Sequence, residues 1–588
     1  MAQSRQSQWK DRATAPYNFV PLPQGVLTVP LEGSRRDDEE RERAKQSYRA
    51  HVLADGRLSG SVALTIESKT PVFVGADAQE ENFFAPNGEL RIPGSSIRGM
   101  IKNLFKIVTC GAMRGAGEDY NDRTLYFRTM ADKNLNKLYA AEMASQDFVG
   151  KNRISKTKSK AGYLIQQRDD PRCYICPADF DVIPDRKGGS RHFEVVWGAD
   201  GSGEASCYTG EMSSKSTYTK HHSPNWMERI PIPDSVVQAY REDISRNGVD
   251  LLNEKDKNGD PTPFVSIRNE RAAAFTDDPD IVFAVPCFYK QEKNGDICHF
   301  GFGRFYRIPY HHSIGEHVLN MDTDGFDYAD VLFGCKDLWA SRLAFTDGIP
   351  TETPKMETAA YPKILSEPKP TSVQLYLEQS TDRLAHWDDV KVPIRGYKLY
   401  WHQKNSSNWR NEDQKPSNMV KSRITPVKAG TVFHSSIRFE RLSEDELGAL
   451  LKTLRISGKR LCCKLGKGKS IGLGSVQISA QLHLTDLADS CRHLFDSSGA
   501  WNAAERAQED EDVKRYMDAF DRVIEARLDD ATRSRYKEAI KDLICMLDWG
   551  RTQHPEWERN IAQMSIEGKD SLFRSRAVLP KPRDVKKE

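Results

Sequence analysis

Two stretches far apart in the chain carry side chains suited to holding an anion. The first, RIPGSSIRGMIKNLFK at 91–106, has a Pro-Gly-Ser-Ser start and only positive charge. Ser95 or Ser96 is a natural N-cap for a helix beginning there. The free N–H groups of its first turn, with Arg98 and Lys102 beside them, would attract a phosphate group.

The second stretch, KLGKGKSIGLG at 464–474, sets Lys464, Lys467 and Lys469 among glycines. Its spacing does not match the nucleotide-binding loop, and it leads into a strand rather than a helix, so nucleotide hydrolysis is not expected. Glycine lets main chain approach a polynucleotide backbone closely, and lysine supplies charge. A third stretch, 151–160, is also basic and free of acids, and it contains Lys156 and Lys158.

Few cysteine and histidine residues have the spacing of a metal-binding site. Cys173 and Cys176 have the spacing of a zinc knuckle, and Cys207 with His221 could complete a site. However, the run PRCYICPADF is typical of a strand, in which residues three apart face opposite sides. The sequence therefore predicts buried strand cysteines, and zinc is not expected.

The elements that must position these residues are strands and helices in mixed order. Alternation over 59–75 predicts a strand, followed by the helix at 95–108 and an irregular region at about 115–330. Strands are predicted at SRLAFTD, VQLYLEQ and 431–442. Ser443 and Glu446 then form a capping box for a helix over 443–455, and residues 500–560 are helical in pattern.

Composition limits the function classes. The 588 residues exceed one ordinary core, and the net charge is only +2. No apolar run approaches the ~20 residues needed to cross a bilayer, and no secretion signal is evident. Scattered cysteines indicate a reducing, cytoplasmic setting. Basic charge is concentrated locally, which favours a binding face over general attraction to nucleic acid.

The order of these motifs resembles that of the RAMP superfamily of CRISPR-associated proteins. IPGSSIRG follows a strand, FG…SRLAFTDG lies in the middle, and a strand, a helix and KLGKGKSIGLGSV come at the end. DRTLYFR, KAGYLI, FGRFYRIPYHHSIGEH and IRGYKLYWH fit the same group. The closest resemblance is to large single-chain backbone subunits of type III effector complexes. It implies an α+β, RRM-like or ferredoxin-like core with β-hairpin insertions and a C-terminal helical layer.

The resemblance also implies what the chain binds. Ser95, Ser96, Arg98 and Lys102 would hold the sugar-phosphate backbone of a guide CRISPR RNA together with the glycine-loop lysines. Expected partners are this RNA, target RNA and other effector subunits in antiviral defence, with no membrane. Family members often cut target RNA through an acid in the loop before IPGSS. Asp77 and Glu81 are the candidates here, and a divalent ion such as Mg²⁺ is expected only if the chain cleaves RNA.

Two other functions and two architectures stay open at this point. A RAMP endoribonuclease that processes the repeat transcript would need a histidine–tyrosine–lysine constellation, for which Tyr310, His311 and His312 are the compact candidates. A non-catalytic assembly protein is the third alternative. We predict a polar arm at 1–55, a first RAMP region at 56–350 with a large insertion, a second region or second half of the core at 351–485, and a helical region at 486–588. The sequence fits one inserted core or two fused cores.

Overall fold

The structure is a computed structural model of the chain. It describes residues 12–585 except for 76–80, 114–123, 129–135, 150–151, 185–192, 210–216, 244–248, 254–264, 319–323, 365–371, 380–383, 406, 414, 416–421, 457–460, 496, 503, 566–571 and 573–575. Within these ranges no helix has the length and apolar character needed to cross a membrane.

Strands and helices occur in mixed order along the described part of the chain. The strands are β1 (Tyr17–Val20), β2 (Thr28–Val29), β3 (Leu58–Ser68), β4 (Tyr126–Phe127), β5 (Ala144–Val149), β6 (Asn152–Thr157), β7 (Lys160–Gln167), β8 (Asp170–Ala178), β9 (Phe180–Pro184), β10 (Phe193–Trp197), β11 (Ala205–Thr209), β12 (Thr217–His221), β13 (Ile230–Pro231), β14 (Ile267–Arg268), β15 (Ile281–Gln291), β16 (Ile297–Gly301), β17 (Ile308–Pro309), β18 (Phe326–Asp327), β19 (Leu343–Phe345), β20 (Ile349–Pro350), β21 (Tyr397–Tyr400), β22 (Val432–Leu442), β23 (Cys463–Lys464), β24 (Ser475–Thr485) and β25 (Glu505–Ala507).

The α-helices are α1 (Asp38–Leu53), α2 (Gly94–Val108), α3 (Asn136–Met143), α4 (Asp234–Glu242), α5 (Asn269–Thr276), α6 (Tyr328–Phe333), α7 (Val373–Tyr376), α8 (Glu444–Leu454), α9 (Leu487–Arg492), α10 (Asp510–Arg527), α11 (Asp530–Leu547) and α12 (Trp557–Asn560).

The central sheet assembles strands that lie far apart in the sequence. Its order is β19–β22–β3–β24–β23, and β3 is antiparallel to both β22 and β24. In chain order, β3, α2, β19, β22, α8 and β24 give strand–helix–strand–strand–helix–strand, with the first strand between the third and the fourth. This arrangement is ferredoxin-like, and the α+β prediction is confirmed.

One face of the central sheet is apolar, and α2 and α8 contact each other and the sheet. Val62, Leu64 and Ile66 alternate along β3 with less buried residues and are at most 1% exposed. This alternation is what the sequence predicts for a strand with one covered face. The covered face forms part of the main hydrophobic core.

The predicted RAMP ranges 56–350 and 351–485 both contribute strands to this sheet, as one inserted core requires. Between α2 and β19 the chain forms further sheets, including β13–β8–β7–β15–β14 and β10–β11–β12–β9. Tyr163, Phe275 and Phe283 belong to a separate hydrophobic cluster in this insertion. The insertion therefore carries a core of its own.

Helix α8 is anchored by a buried carboxylate. Ser443 and Glu446 form the predicted capping box. Glu446 is 1% exposed and also accepts hydrogen bonds from Arg342 at 2.6 and 3.0 Å, while His51 of α1 lies 2.8 Å from its Oε1. Burial alone would raise the pKa of Glu446, but the contacts with His51 and Arg342 outweigh it and hold the pKa well below its usual range. The Glu446 carboxylate thus connects α8 with α1 and with the segment that contains Arg342.

Two local predictions are wrong. The predicted strand VQLYLEQ is the single helical turn α7, in which Val373, Gln374 and Leu375 are all buried. A short apolar run fits a strand and a buried helical turn equally well. The range 1–55 is not simply a polar arm, because β1 is buried and pairs with β21. The charged stretch after it forms helix α1.

Candidate nucleic-acid interface

The glycine loop and the first turns of α2 line the same cavity, which has a volume of about 480 Å³. We call it the lysine cavity. Its polar or charged lining side chains are Ser96, Asn103, Lys398, Tyr400, His402, Lys464, Lys467 and Lys469, with Cys463 beside them. No carboxylate is among the described lining residues. The structure thus brings together two motifs that are more than three hundred residues apart in the sequence.

The glycine loop is held by the segment that follows β3. The N–H of Lys467 donates to the Phe73 carbonyl at 2.9 Å, and the N–H of Gly474 donates to the Pro71 carbonyl at 2.8 Å. Gly466 has a φ of +81°, and a Cβ at this position would lie 2.3 Å from the Phe73 oxygen. Only glycine fits this approach. The loop is therefore a fixed part of the cavity wall.

The start of α2 differs from the sequence prediction. The helix begins at Gly94 with Pro93 as N-cap, so neither Ser95 nor Ser96 is the capping residue. The N–H of Gly94 donates to the carboxylate of Asp347 at 2.8 Å. Asp347 belongs to the stretch SRLAFTDG. Its carboxylate accepts the hydrogen bond from the first N–H group of the helix, and its negative charge is favourable at the positive end of the helix dipole. Ser96 lines the cavity, and Ser95 is exposed.

The predicted basic face of α2 lies away from the cavity. Arg98 donates to the Phe333 carbonyl at 2.6 Å, and its guanidinium carbon lies 5.6 Å from the centre of the Phe333 ring. The Lys102 ammonium lies 5.8 Å from the same ring. Both side chains therefore pack against α6, and only the Ser96 side of the helix faces the glycine loop.

Three lysines of the cavity, Lys398, Lys464 and Lys469, are partly shielded from water and lack a described carboxylate partner. No salt bridge to a described carboxylate involves Lys398, Lys464 or Lys469. Burial lowers the pKa of each, and that of Lys464 falls to about 7. The Lys464 ammonium donates to the Leu473 carbonyl at 2.9 Å. Partly buried cations without anionic partners are costly, and a bound anion would remove that cost.

Lys398 is a cavity residue that the basic motifs did not reveal. It lies on β21, and its ammonium is 3.8 Å from the centre of the Tyr17 ring, with Tyr376 and Tyr400 at 5.8 and 5.7 Å. Contacts with aromatic faces hold a cation in place without cancelling its charge. The stretch IRGYKLYWH, which fits the RAMP resemblance, contains Lys398 and was the available signal.

His402 completes the wall as a neutral group. Its ring nitrogens contact the Ser475 hydroxyl at 2.9 Å and the Cys462 carbonyl at 3.0 Å. Burial, assisted by the charge of Lys464, lowers the pKa of His402 to about 3. Burial raises the pKa of the neighbouring Cys463 thiol to about 12. Neither group changes charge near neutral pH.

The predicted acidic loop is described only in part. Asp77 lies outside the described residues. Glu81 is exposed, its carbonyl accepts from the Thr425 N–H at 2.9 Å, and its carboxylate lies 3.4 Å from the Arg423 nitrogen. Among the described residues no group of three or more His, Cys, Asp or Glu side chains is placed to hold a metal ion.

The remaining basic candidates lie elsewhere in the fold. Lys156 is in β6, opposite Ser145 of β5. Lys158 is exposed and donates to the Ala141 carbonyl at 2.7 Å. Lys158 does not line the lysine cavity.

The zinc candidates sit in the insertion. Cys173 and Cys176 lie on β8, where they pair with Gln166 and Tyr163 and so face opposite sides of the sheet. Cys207 and His221 lie on the neighbouring strands β11 and β12. All four are buried, and burial lowers the pKa of His221 to about 4.

The residues considered for transcript processing do not converge. Tyr310 is 3% exposed and stacks on Phe127 at 4.1 Å. His311 and His312 point outward and contact Asp388 and Glu316. A 2′-hydroxyl attack needs an acid and a base at one point, and these side chains face different environments.

Comparison with known proteins gives one match at the level of sequence families. Residues 65–199 match the model of the RAMP superfamily. This range includes part of β3, the acidic loop and all of α2. No curated protein matches the chain significantly.

Among solved structures, a type III-B Cmr-beta complex bound to cognate target RNA is 10% identical, covering 72% of this chain and 98% of the other, with a TM-score of 0.17. A Cmr4 crystal structure is 11% identical over 71% and 98%, with a TM-score of 0.16. Oligomeric Cmr4 from Pyrococcus furiosus is 10% identical over 72% and 99%, with a TM-score of 0.16. TM-scores this low do not establish a shared overall fold.

Proposed function

We propose, from the premise that this chain contains a RAMP-superfamily region, that it is a guide-RNA-binding backbone subunit of a type III CRISPR effector complex. The observation that carries the proposal is the lysine cavity, where the glycine loop meets the start of α2 without any described carboxylate in the lining. Its ligand would be the ribose-phosphate backbone of the CRISPR RNA.

The chemistry of the cavity suits a backbone contact that ignores sequence. Lys398, Lys464 and Lys469 offer charge to phosphate oxygens, and Ser96 and Asn103 offer hydrogen bonds to phosphate or to a 2′-hydroxyl. Contacts with phosphate and sugar fix register but carry no base information. A subunit that must accept any guide needs this kind of contact. The other effector subunits and target RNA are the further partners we propose.

The proposal predicts that a processed repeat-derived transcript co-purifies with the full chain from its native host. Sequencing of the bound RNA identifies that transcript. Recovery of the chain with no RNA, or with unselected cellular RNA only, would contradict the proposal. Size analysis with and without RNA then separates an RNA-binding subunit from an assembly protein that does not need RNA.

A charge reversal locates the binding site. Lys467 is the exposed lysine of the glycine loop, so Lys467→Glu should fold normally and release the transcript. Lys514→Glu is the matched control, because Lys514 is exposed on α10 and does not line the cavity. Loss of one phosphate contact should lower the salt-dependence slope of single-strand binding by about 0.7. Equal RNA retention by both variants would remove the lysine cavity from the binding surface.

A further inference from the structure

A second cavity, of about 670 Å³, lies where β1, α11 and the C-terminal segment meet. It shares no described lining residue with the lysine cavity. Arg395, Arg535, Lys581, Arg583, Glu378 and Asp542 are among the residues that line it. We call it the Arg395 cavity. Arg395 belongs to IRGYKLYWH, so this motif contributes residues to both cavities.

Most charges of the Arg395 cavity are already paired. Arg535 contacts the Glu378 carboxylate at 2.9 Å and donates to the Leu22 carbonyl at 2.6 Å. Arg583 contacts the Asp542 carboxylate at 2.7 Å. These pairs hold the walls and leave little of their hydrogen-bonding capacity for a ligand.

Arg395 is different because no described carboxylate forms an ion pair with its guanidinium. The residue is 9% exposed, and among the described residues its Nε and Nη2 atoms have no hydrogen-bond partner. Burial lowers its pKa to about 10, with Glu378 acting in the opposite direction, so the group stays charged at neutral pH. A buried charge with unsatisfied donors is costly to maintain unless an acceptor reaches it.

We propose that the Arg395 cavity binds an oxyanion, a phosphate or carboxylate group of a small ligand, which accepts hydrogen bonds from Nε and Nη2 of Arg395. These two N–H groups point the same way and form the fork that matches two oxygens of one anion. The exposed Lys581 adds positive charge at the lining. The volume exceeds that of a phosphate ion and leaves room for an attached group, such as the nucleoside of a mononucleotide.

The test measures binding to the RNA-free full chain by calorimetry and thermal shift. Inorganic phosphate, adenosine monophosphate and acetate serve as separate probes, since their order of affinity distinguishes a phosphate from a carboxylate and a free anion from a nucleotide. Arg395→Gln should weaken the tightest-bound probe by roughly tenfold to a hundredfold, because two charge-assisted hydrogen bonds are lost. Arg395→Lys keeps the charge without the fork and should also bind more weakly.

Two further variants separate this site from other anion contacts. Lys467→Gln alters the lysine cavity and should leave the Arg395-dependent binding intact. Arg559→Gln removes an exposed arginine that does not line either cavity and should change nothing. Absence of binding by all three probes to the unmodified chain, or equal binding by Arg395→Gln, would overturn the proposal.

Stability without ligand distinguishes a binding role from a structural one. Arg395→Gln should leave the melting temperature in anion-free buffer unchanged or higher, because it removes a buried charge with two N–H donors that no described group accepts from. Added phosphate or adenosine monophosphate should then raise the melting temperature of the unmodified chain but not that of the variant. A marked fall in the ligand-free melting temperature would show that Arg395 stabilises the fold directly, and would overturn the proposal.

Discussion

The lowered pKa of Lys464 makes RNA affinity depend on pH in a predictable direction. Burial brings this pKa to about 7, so in the free protein the side chain loses its proton near neutrality. A phosphate beside Lys464 favours the charged form, and RNA binding is therefore coupled to proton uptake. Affinity should fall as pH rises through 7.

The size of the effect follows from the fraction of protein that carries the charge. With a pKa of about 7, roughly nine-tenths of the free protein is charged at pH 6 and roughly one-tenth at pH 8. If binding requires the charged form, Kd rises about tenfold over this interval. His402 and Cys463 keep their charge state across this interval, so neither contributes to the change.

Fluorescence anisotropy with a labelled guide RNA, at constant ionic strength, measures the profile. Lys464→Arg should flatten it, because a guanidinium stays protonated throughout. Lys467→Arg is the matched control and should preserve the slope. A flat profile for the unmodified chain, or an unchanged slope in Lys464→Arg, would refute the reasoning.

The stability of the RNA-free protein should depend on pH in the opposite direction. The fold favours the neutral amine of Lys464, so the contribution of this group to the free energy of unfolding grows from pH 7 towards 10.5.

Three further outcomes are expected. Gly466→Ala should lower the free energy of unfolding by about 1–3 kcal/mol and abolish RNA binding, measured by urea denaturation and anisotropy, because the added methyl group meets backbone in a left-handed conformation. Glu446→Gln should cost about 3–5 kcal/mol in urea denaturation, because it leaves a buried guanidinium without its counter-charge. If this chain cuts target RNA through the acidic loop, Asp77→Ala or Glu81→Ala should abolish that cutting in a gel assay with Mg²⁺ while guide binding survives.

Matched control variants separate the proposed causes from general effects of substitution. Gly499 has a φ of +80°, but apart from its chain neighbours no described atom lies within 4 Å of the position that an added methyl group would take. Gly499→Ala therefore isolates the conformational cost from the clash. Glu444→Gln changes an exposed carboxylate on the same helix turn as Glu446. If Gly499→Ala lowered the free energy of unfolding as much as Gly466→Ala does, the clash would not explain the loss. If Glu444→Gln lowered it as much as Glu446→Gln does, the buried counter-charge would not explain the loss. Undiminished cutting by both acidic-loop variants would exclude that loop from cleavage.

The sequence predicted correctly those elements that depend on residues close together in the chain. The capping box at Ser443 and Glu446 needs residues three apart, and the structure contains it as predicted. The alternation in β3 and the positive-φ glycines of the glycine loop are equally short-range features. The RAMP resemblance, confirmed over 65–199, follows from the order of such motifs along the chain.

Predictions failed where a distant residue decides the outcome. The serine cap of α2 is replaced by Asp347, which lies 253 residues from Gly94. The direction of Arg98 and Lys102 depends on Phe333, and no spacing within α2 reveals that ring. Lys398 reaches the lysine cavity only because β21 pairs with β1. These contacts are tertiary, and one sequence read locally does not contain them.

The sheet order has a consequence for synthesis on the ribosome. Ser68, at the end of β3, hydrogen-bonds Thr431, which is 363 residues further along the chain. At a translation rate of about 5–20 residues per second, the nascent β3 waits roughly 20–70 s for that neighbour. Both edges of β3 lack their later partners β22 and β24 for that time, which is long compared with collapse of a small domain. Unpaired strand edges tend to pair with other chains, so we expect the yield of recombinant expression to depend on early protection of this segment by a chaperone or by its own insertion.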